Sequence, residues 1–576
     1  MDPSVPLAIA VEDPPIFPLH EVKAGQRGQG FTVFESALGP EPFEVIILGV
    51  MKGNLGPGED LIVAKLIGEK IERTGVISGM SGSPVYIEGK LVGAVGYRLG
   101  TFTKDAIAGI TPIERMMTAA AVPALAPKRT AALTPTGPWG APVPIAVPVG
   151  ISGVSPAILE AFQPELARRG YGPVFATGAG GAASSSDGAS KPVRLYAGGP
   201  ISADLIQGDI HMGAIGTVTW VKGERFLAFG HPFLGSGKAA MPVSNADIVT
   251  TVASEAGSWK MGQPTAAIGS LSDDRLHAIA GAMGAAPPML PLAVHIDTES
   301  PRARGDAKSD LSYRVFPHET DAPLFVAIAV ANTLANRVAA EKSGGTIDVA
   351  VHASLSTGDQ LPWSFRVADE GMGFEIPVAF GVLSLLSAAL EQDYVDAALT
   401  SVEVTIKSRA AVDRARIVAV DALRPFVAGT TSEVRVRLQP WQGPVVERRV
   451  RVRVPAGVPQ GRYQLVAAGQ VEAGVIERDG GLVPKPPGFR AHLNNLVRAP
   501  PPGSLSLYLV ADDPSVKLEG RALPGLPLSL AGLLADGGGL SGGTVDARAT
   551  RLAREIGDGV IVGESTAHIR VRHPEE

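Results

Sequence analysis

Glycine and proline limit what this chain can fold into more than any other feature of its sequence. Of 576 residues, 69 are glycine and 48 are proline. That is about one residue in five, against about one in eight in average proteins. Both residues interrupt helices and strands, so this composition favours short strands joined by many turns. Hydrophobic residues make up 45% of the chain, which predicts packed cores and excludes global disorder.

Composition also narrows the kinds of site and partner. The chain has no cysteine, which excludes disulfide scaffolds, thiolate metal sites and a cysteine nucleophile. With a net charge of −6 and no block of lysine and arginine, nucleic acid is not an expected partner. The longest apolar run, residues 376–390, is shorter than the roughly 20 residues that span a bilayer, so it predicts a buried helix and no transmembrane segment. The N-terminus lacks the basic start of a complete signal peptide.

Composition and periodicity divide the chain into six regions. Residues 400–475 alternate apolar and polar side chains, which predicts an immunoglobulin-like β-sandwich. Ser155 is a predicted N-cap of the one helix in an otherwise linker-like region, and further helices are predicted over 244–255 and 545–556. The regions are a strand-rich region at 16–121, a linker with one helix at 122–192, a second strand-rich region at 193–300, an α+β domain at 301–399, the sandwich at 400–475, and a C-terminal α+β unit at 476–576.

The most informative motif surrounds Ser81, which lies in the sequence GMSGSP at 79–84. Glycines on both sides allow a tight turn in which successive N–H groups face one point. Such a turn suits an acyl-transfer nucleophile, with the N–H groups of Gly79 and Ser81 as an oxyanion hole. A plain glycine- and serine-rich β-turn is the alternative interpretation.

A serine nucleophile needs a base, and His231 is the best candidate. It follows a predicted strand in the sequence FGHPF at 229–233, where turn residues would fix its direction. A structural turn histidine is the alternative. A third residue should orient the imidazole ring. Asp209 is the working assignment, and Asp247 and Asp60 remain open.

Several of these motifs resemble the SpoIVB family of serine peptidases. The resemblance covers 74–96, with GMSGSP and the following KLVGAV strand, and continues at 108–113 (AGITPI). In that family the serine of GMSGSP is the nucleophile, which corresponds to Ser81 here. The family's histidine lies in a Gly-His pair after a Gly-rich Thr-containing strand. Residues 216–219 (GTVT) followed by Gly-His match that segment, so His231 corresponds to the base.

The resemblance implies a mainly β fold. Residues 16–121 would be a serine-bearing lobe and residues 193–300 a histidine-bearing lobe of a chymotrypsin-like double β-barrel, followed by the immunoglobulin-like sandwich and small α+β units. It also implies an extracytoplasmic location, periplasmic or secreted, a protein or peptide substrate, and an envelope protein as partner. Neither a cofactor nor a metal ion is expected.

Two features depart from the family. Here the serine lobe precedes the histidine lobe, which reverses the family's order. The position that carries the family's aspartate falls near Ile67, which is not acidic. The expected function is a serine endopeptidase that cleaves protein substrates, itself among them, by acyl-enzyme chemistry. The alternative is a catalytically silent envelope protein that binds partners or serves as a scaffold.

Overall fold

The computed structural model describes most of the chain in two compact units. The units comprise residues 1–292 with 312–332, and residues 293–311 with 333–576. The predicted linker segments 122–141 and 178–190 lie outside the described residues. Those described are 12–100, 103–121, 142–172, 174–177, 194–298, 308–338, 344–369, 373–480, 482–483, 486–511, 516–518, 521–523, 544–545 and 549–574.

The first unit begins with six strands that close into a barrel. Its elements are 3₁₀ turns at Leu19–Glu21 and Ser36–Leu38, β1 (Arg27–Val33), β2 (Pro40–Gly56), β3 (Glu59–Ile67), α1 (Glu69–Thr74), β4 (Pro84–Ile87), β5 (Lys90–Leu99), β6 (Ile107–Pro112) and α2 (Ile113–Ala121). The pairing order is β1-β2-β3-β6-β5-β4, and β4 pairs back with β1. Apolar side chains such as Val45, Ile47 and Leu66 fill its interior. Closure gives every strand of this ring two paired neighbours, so the ring has no edge strand.

A second set of six strands also pairs in a ring. The elements of this region are β7 (Pro142–Pro144), β8 (Val149–Ser152), α3 (Pro156–Arg168), β9 (Val174–Thr177), β10 (Pro200–Gly208), β11 (His211–Lys222), β12 (Arg225–Ala228), β13 (Gly237–Val252), β14 (Trp259–Arg275) and β15 (Ala278–Met283). The second ring has the order β10-β13-β14-β15-β12-β11, and β11 pairs back with β10. The predicted mainly β character is confirmed.

The region predicted as a linker contributes structure to both rings. β7 pairs with β5 of the first ring, and β8 pairs with β11 of the second. The Ser155 hydroxyl accepts from the Ile158 N–H at 3.4 Å, which confirms the N-cap of α3. The helix predicted over 244–255 is wrong, because β13 pairs with β14 along this segment and buries alternate side chains.

The second unit contains an antiparallel sheet and a sandwich. Around the unit boundary and in the second unit lie β16 (Leu290–Thr298), β17 (Lys308–Val315), α4 (Ala322–Arg337), β18 (Gly345–Leu355), β19 (Gln360–Asp369), α5 (Glu375–Leu390) and β20 (Leu399–Arg409). β18 pairs with both β19 and β20. α5 contains the long apolar run. No helix in the described ranges has the length and apolar character that a membrane crossing requires.

The sandwich consists of two sheets that share one apolar core. Its region comprises β21 (Arg414–Ala422), β22 (Phe426–Val427), β23 (Thr431–Pro440), β24 (Val446–Arg453), β25 (Gly461–Ala468), α6 (Gln470–Asp479), α7 (Phe489–Val497), β26 (Ser504–Ala511), β27 (Val516–Leu518), β28 (Arg521–Leu523), β29 (Thr544–Val545), β30 (Ala549–Ile556), β31 (Val560–Val562) and β32 (Glu564–Arg572). The first sheet has the order β24-β23-β21-β31, and the second has the order β22-β32-β25-β26-β30.

The sandwich crosses the boundary predicted between residues 475 and 476. β25 lies before that boundary, and it pairs with β26 and β32, which lie after it. The helix predicted over 545–556 is wrong, since β30 pairs with β26 there. At the other end, β20 pairs with β18. The predicted sandwich region 400–475 therefore contains only part of the observed sandwich.

Candidate active site

Ser81 lies in a tight turn between α1 and β4. Gly79 and Gly82 adopt positive φ angles of +93° and +96°, which side-chain-bearing residues rarely tolerate. The Ser83 N–H and hydroxyl both donate to the Met80 carbonyl, at 2.9 and 2.6 Å. These contacts hold the backbone of the turn in one shape around Ser81.

The N–H groups of this turn divide into two sets. Those of Ser78, Met80, Gly82 and Ser83 donate to the carbonyl oxygens of Ser258, Ile77, Val95 and Met80. In the described part of the chain, the N–H groups of Gly79 and Ser81 donate no hydrogen bond. Buried backbone donors are nearly always paired, so two free donors on either side of one residue are unusual. They are the pair that the sequence predicts as an oxyanion hole.

The serine turn packs closely against the second ring. The Thr217 N–H donates to the Ser81 carbonyl at 2.9 Å, and the Thr219 hydroxyl donates to the Gly82 carbonyl at 2.8 Å. A Cβ atom on Gly82 would overlap the Thr217 carbonyl oxygen and lie 2.5 Å from the Phe229 nitrogen. Only glycine therefore fits at this point of contact between the two rings.

His231 lies next to this contact, immediately after β12. Phe229 and Gly230 both have positive φ angles, so the chain turns sharply before the histidine. The Gly230 carbonyl accepts from the Thr111 hydroxyl of the first ring. It would also lie 2.5 Å from a Cβ atom on Gly96. The histidine loop thus packs against β5 and β6, while the serine turn packs against β11.

The His231 ring has the protonation pattern of a general base. Its Nδ1 lies 2.6 Å from the Pro232 carbonyl oxygen. A carbonyl can only accept, so Nδ1 carries the hydrogen and the neutral ring keeps a lone pair on Nε2. Burial lowers the pKa of His231 to about 4, against a smaller opposing effect of the Pro232 and Ile145 backbone. The ring is therefore neutral at pH 7.

Among the described residues, no carboxylate forms a hydrogen bond with the His231 ring. Asp209, the working assignment, lies on the exposed turn after β10 and accepts from the Ser312 N–H at 3.1 Å. Asp60 accepts from the Gly53 N–H at 2.8 Å, and Asp247 is exposed on β13. The position that an aspartate would take beside Nδ1 is occupied by the Pro232 carbonyl. A backbone acceptor from the next residue in the chain therefore takes the place of a distant side chain.

Ser81 and His231 share one further property. Their side chains are fully buried, and Ser81 Oγ and His231 Nε2 are both without a hydrogen-bond partner among the described residues. They do not bond to each other. Leaving a buried polar atom unpaired costs about 1–3 kcal/mol. The two segments thus contain a hydroxyl and a ring nitrogen that no described residue pairs with.

A short segment covers this region. Residues 142–148, here called the strap, run from β7 towards β8. The Ile145 N–H donates to the Gly96 carbonyl at 2.9 Å, and the Ile145 side chain joins the apolar core of the first ring. Pro148 Cγ would lie 3.1 Å from a Cβ atom on Gly79. The strap thus extends from β5 to the serine turn, and it pairs with β5 as an added strand.

Sequence reasoning missed one residue of this region, Lys260 on β14. It is completely buried, and its Nζ donates to the hydroxyls of Thr32 at 2.7 Å and Thr217 at 3.1 Å. Burial lowers its pKa to about 7. A lysine in a strand normally predicts an exposed position. Since Thr32 and Thr217 are far from Lys260 in sequence, no local pattern reveals this burial.

Sequence reasoning also missed Asp274, which holds the loop after His231. Its buried carboxylate accepts from the N–H groups of Phe233 and Leu234, each at 2.7 Å, and from Ser236 at 3.4 Å. Desolvation raises the pKa of Asp274, although these backbone hydrogen bonds oppose it. The Asp-Asp pair at 273–274 could have drawn attention to it, but nothing in the sequence connects it with His231.

In the described ranges, no group of three histidine, aspartate or glutamate side chains could hold a metal ion. No family model, curated protein or solved structure matches the chain.

Proposed function

We propose that the chain is a SpoIVB-like serine endopeptidase that acts on protein or peptide substrates, itself among them. The observation that carries this proposal is the pair of free N–H groups at Gly79 and Ser81, beside a buried unpaired hydroxyl. Free backbone donors beside a serine are what an oxyanion requires. His231, on the neighbouring loop, has the lone pair that a base requires.

The proposed reaction proceeds in two steps. Ser81 Oγ attacks the scissile carbonyl carbon while its proton passes to His231 Nε2, and the oxyanion accepts from the N–H groups of Gly79 and Ser81. The C–N bond then breaks as His231 returns that proton to the departing amine. Water then attacks the resulting ester while His231 takes one of its protons. The ester C–O bond breaks, the carboxylic acid product leaves, and His231 returns the proton to Ser81 Oγ. The Pro232 carbonyl, which accepts from Nδ1, orients the ring in place of a carboxylate.

The arrangement of strands supports a chymotrypsin-like assignment. Two rings of six strands lie in one unit, with the serine turn on the first and the histidine loop on the second. A catalytic triad is defined by geometry and not by chain order, so the reversed order of the lobes is compatible with this assignment. We also assign the two-sheet region of the second unit to an immunoglobulin-like sandwich, because its two sheets share one apolar core.

Substrate entry requires the strap to move. Ser81 is fully buried, and the strap occupies the β5 edge at 97–99. An extended peptide can add to a strand edge through main-chain hydrogen bonds. We therefore assign the β5 edge to the substrate, which would replace the strap there.

A fluorophosphonate probe tests this function without knowledge of the substrate. Ser81 Oγ displaces fluoride at phosphorus, so labelling reports an activated serine. We expect the native chain to be labelled, and Ile145→Ala, which loosens the strap, to be labelled faster. Labelling should vanish in Ser81→Ala and fall at least about 100-fold in His231→Ala. If neither the folded native chain nor folded Ile145→Ala is labelled, the peptidase proposal fails.

The second candidate function is a catalytically silent binding or scaffold protein of the cell envelope. The burial of Ser81 favours it, as does the Pro232 carbonyl at His231 Nδ1, where no described carboxylate lies. Under this alternative the sandwich would bind an envelope partner, and the fluorophosphonate probe would label neither the native chain nor Ile145→Ala. Cell fractionation tests the extracytoplasmic location that both candidate functions share, because both place the chain outside the cytoplasm.

A further inference from the structure

The oxyanion site at Gly79 depends on contacts from Lys260. The Lys260 N–H donates to the Ser78 carbonyl at 3.0 Å. In a trans peptide the C=O and the following N–H point in opposite directions. Anchoring the Ser78 carbonyl on β14 therefore directs the Gly79 N–H away from β14 and leaves it free.

The Lys260 side chain reaches the other side of the same residue. Its Nζ donates to the Thr217 hydroxyl at 3.1 Å, and that hydroxyl donates to the Gly79 carbonyl at 2.9 Å. Its Cβ and Cδ atoms would lie 3.3 and 3.4 Å from a Cβ atom on Gly79. Both peptide groups that flank Gly79 are thus held by Lys260, one through its backbone and one through its side chain.

Lys260 has no counter-ion. Strand β1 brings the neutral Thr32 to it, β11 brings the neutral Thr217, and the serine turn brings Gly79. Among the described residues, Lys260 Nζ forms its hydrogen bonds with hydroxyls and no ion pair, and desolvation lowers its pKa. A buried ammonium with only hydroxyl partners destabilises the fold. Stability therefore does not explain a lysine at this position.

We propose that Lys260, as an ammonium ion, is the positioning residue of the oxyanion site. It holds this site through Ser78 and Thr217, and it stabilises the negative charge that develops there. This inference rests on the proposed peptidase function. No proton leaves Lys260 in the reaction. A positive charge kept in a water-excluded site acts on a developing anion with little screening, so the protonated form is the active form.

The pH dependence of fluorophosphonate labelling tests the inference. In the native chain the rate should rise through about pH 4 as His231 becomes neutral. It should fall through about pH 7 as Lys260 loses its proton. In Lys260→Met we expect labelling about tenfold slower at pH 6, with no decrease near pH 7. The two proteins should converge above pH 9.

Two further variants separate charge from shape. Thr217→Val breaks the hydroxyl link to Gly79 but keeps the lysine, so labelling should slow at all pH values and still fall near pH 7. Lys222→Met removes an exposed lysine of the second ring that pairs with Asp13, and should match the native profile. Circular dichroism checks that each variant is folded. If Lys260→Met does not fold, the pH profiles of labelling for the native chain and Thr217→Val still test the inference.

The outcomes distinguish the inference from the function. Suppose that the native chain is labelled, and that Lys260→Met is labelled at the same rate with the same decrease near pH 7. That result would overturn the role of Lys260 and leave the proposed peptidase function standing. A native profile without any decrease between pH 6 and 9 would overturn it as well. If neither the native chain nor Ile145→Ala is labelled at any pH, the proposed function and this inference fail together.

Discussion

The two rings of the first unit have the same strand count but different interiors. In the described part of the first ring, the buried polar residues are hydroxyl-bearing, and none is an aspartate, glutamate, histidine, lysine or arginine. The second ring buries six such ionisable residues, namely Asp204, His231, Lys260, Asp273, Asp274 and His277. The first ring therefore supplies a rigid backbone, and the second supplies the groups that can gain or lose protons.

This difference shows how the proposed site is divided. The serine turn contributes geometry, because its free N–H groups have no ionisation to regulate. The second ring contributes charge, because Lys260 and His231 have pKa values that burial has lowered. Changes in the first ring should consequently act equally at every pH, whereas changes in the second ring should alter the pH dependence. The following variants test that contrast.

The largest effect is expected where the rings touch. Gly82→Ala places a Cβ atom against the Thr217 carbonyl, so it should lower the free energy of unfolding by more than about 4 kcal/mol. Gly89→Ala is the matched control, because Gly89 also has a positive φ but nothing lies within 4 Å of its Cβ position. That variant should cost only about 1 kcal/mol. Urea unfolding measures the free energy of unfolding of both variants. Equal losses of stability would show that the close contact at Gly82 does not determine the cost.

A smaller, pH-dependent effect is expected at Asp204. Burial raises the pKa of Asp204 to about 7, although the hydroxyls of Ser202 and Ser244 donate to its carboxyl at 3.0 and 2.8 Å. Because the folded state keeps a proton that the unfolded chain loses near pH 4, stability should fall as pH rises from 4 to 7. Asp204→Asn should remove that decrease, which amounts to at most about 4 kcal/mol. Urea midpoints at pH 4.5 and 8 measure it, and parallel curves for the two proteins would contradict the assignment.

The smallest effect is expected from Ser83→Ala. This variant removes a buried hydroxyl that donates to the Met80 carbonyl at 2.6 Å. We expect a loss of about 1 kcal/mol, equal at pH 5 and pH 9, because no ionisable group is involved. Thermal unfolding at both pH values measures it. A loss that changed with pH would break the proposed contrast between the rings.

Local features were predictable from the sequence, and distant contacts were not. The N-cap at Ser155 follows from side-chain chemistry within one turn of helix, and the structure contains it. The helix predicted over 244–255 fails because pairing with β14 outweighs local preference. Its partner strand holds the segment in alternation, with Ala246 and Ile248 inside and Asp247 exposed.

The candidate site shows the same division. The glycine pattern around Ser81 predicts the tight turn, because the positive φ angles at Gly79 and Gly82 are a local property of these residues. The Gly79 N–H stays free because β14 anchors the Ser78 carbonyl, and no local pattern reveals that contact. The orienting group of His231 was sought among aspartates, but the structure uses a backbone carbonyl, which has no sequence signature. Lys260 could not be found, because its burial depends on Thr32, and the two residues are 228 positions apart.

The contact between the serine turn and β11 has a consequence for the protein during its own synthesis. A growing chain presents Ser81 long before Thr217, His231 and Lys260 exist, and domains fold as their residues emerge. In our proposal the free N–H of Gly79 depends on the contact between β14 and the Ser78 carbonyl, so an unfinished chain would have the serine without the proposed oxyanion site. The proposed peptidase would remain inert beside other newly made proteins until its second ring closes. Fragments that end before Lys260 should therefore be harmless to the cell that makes them.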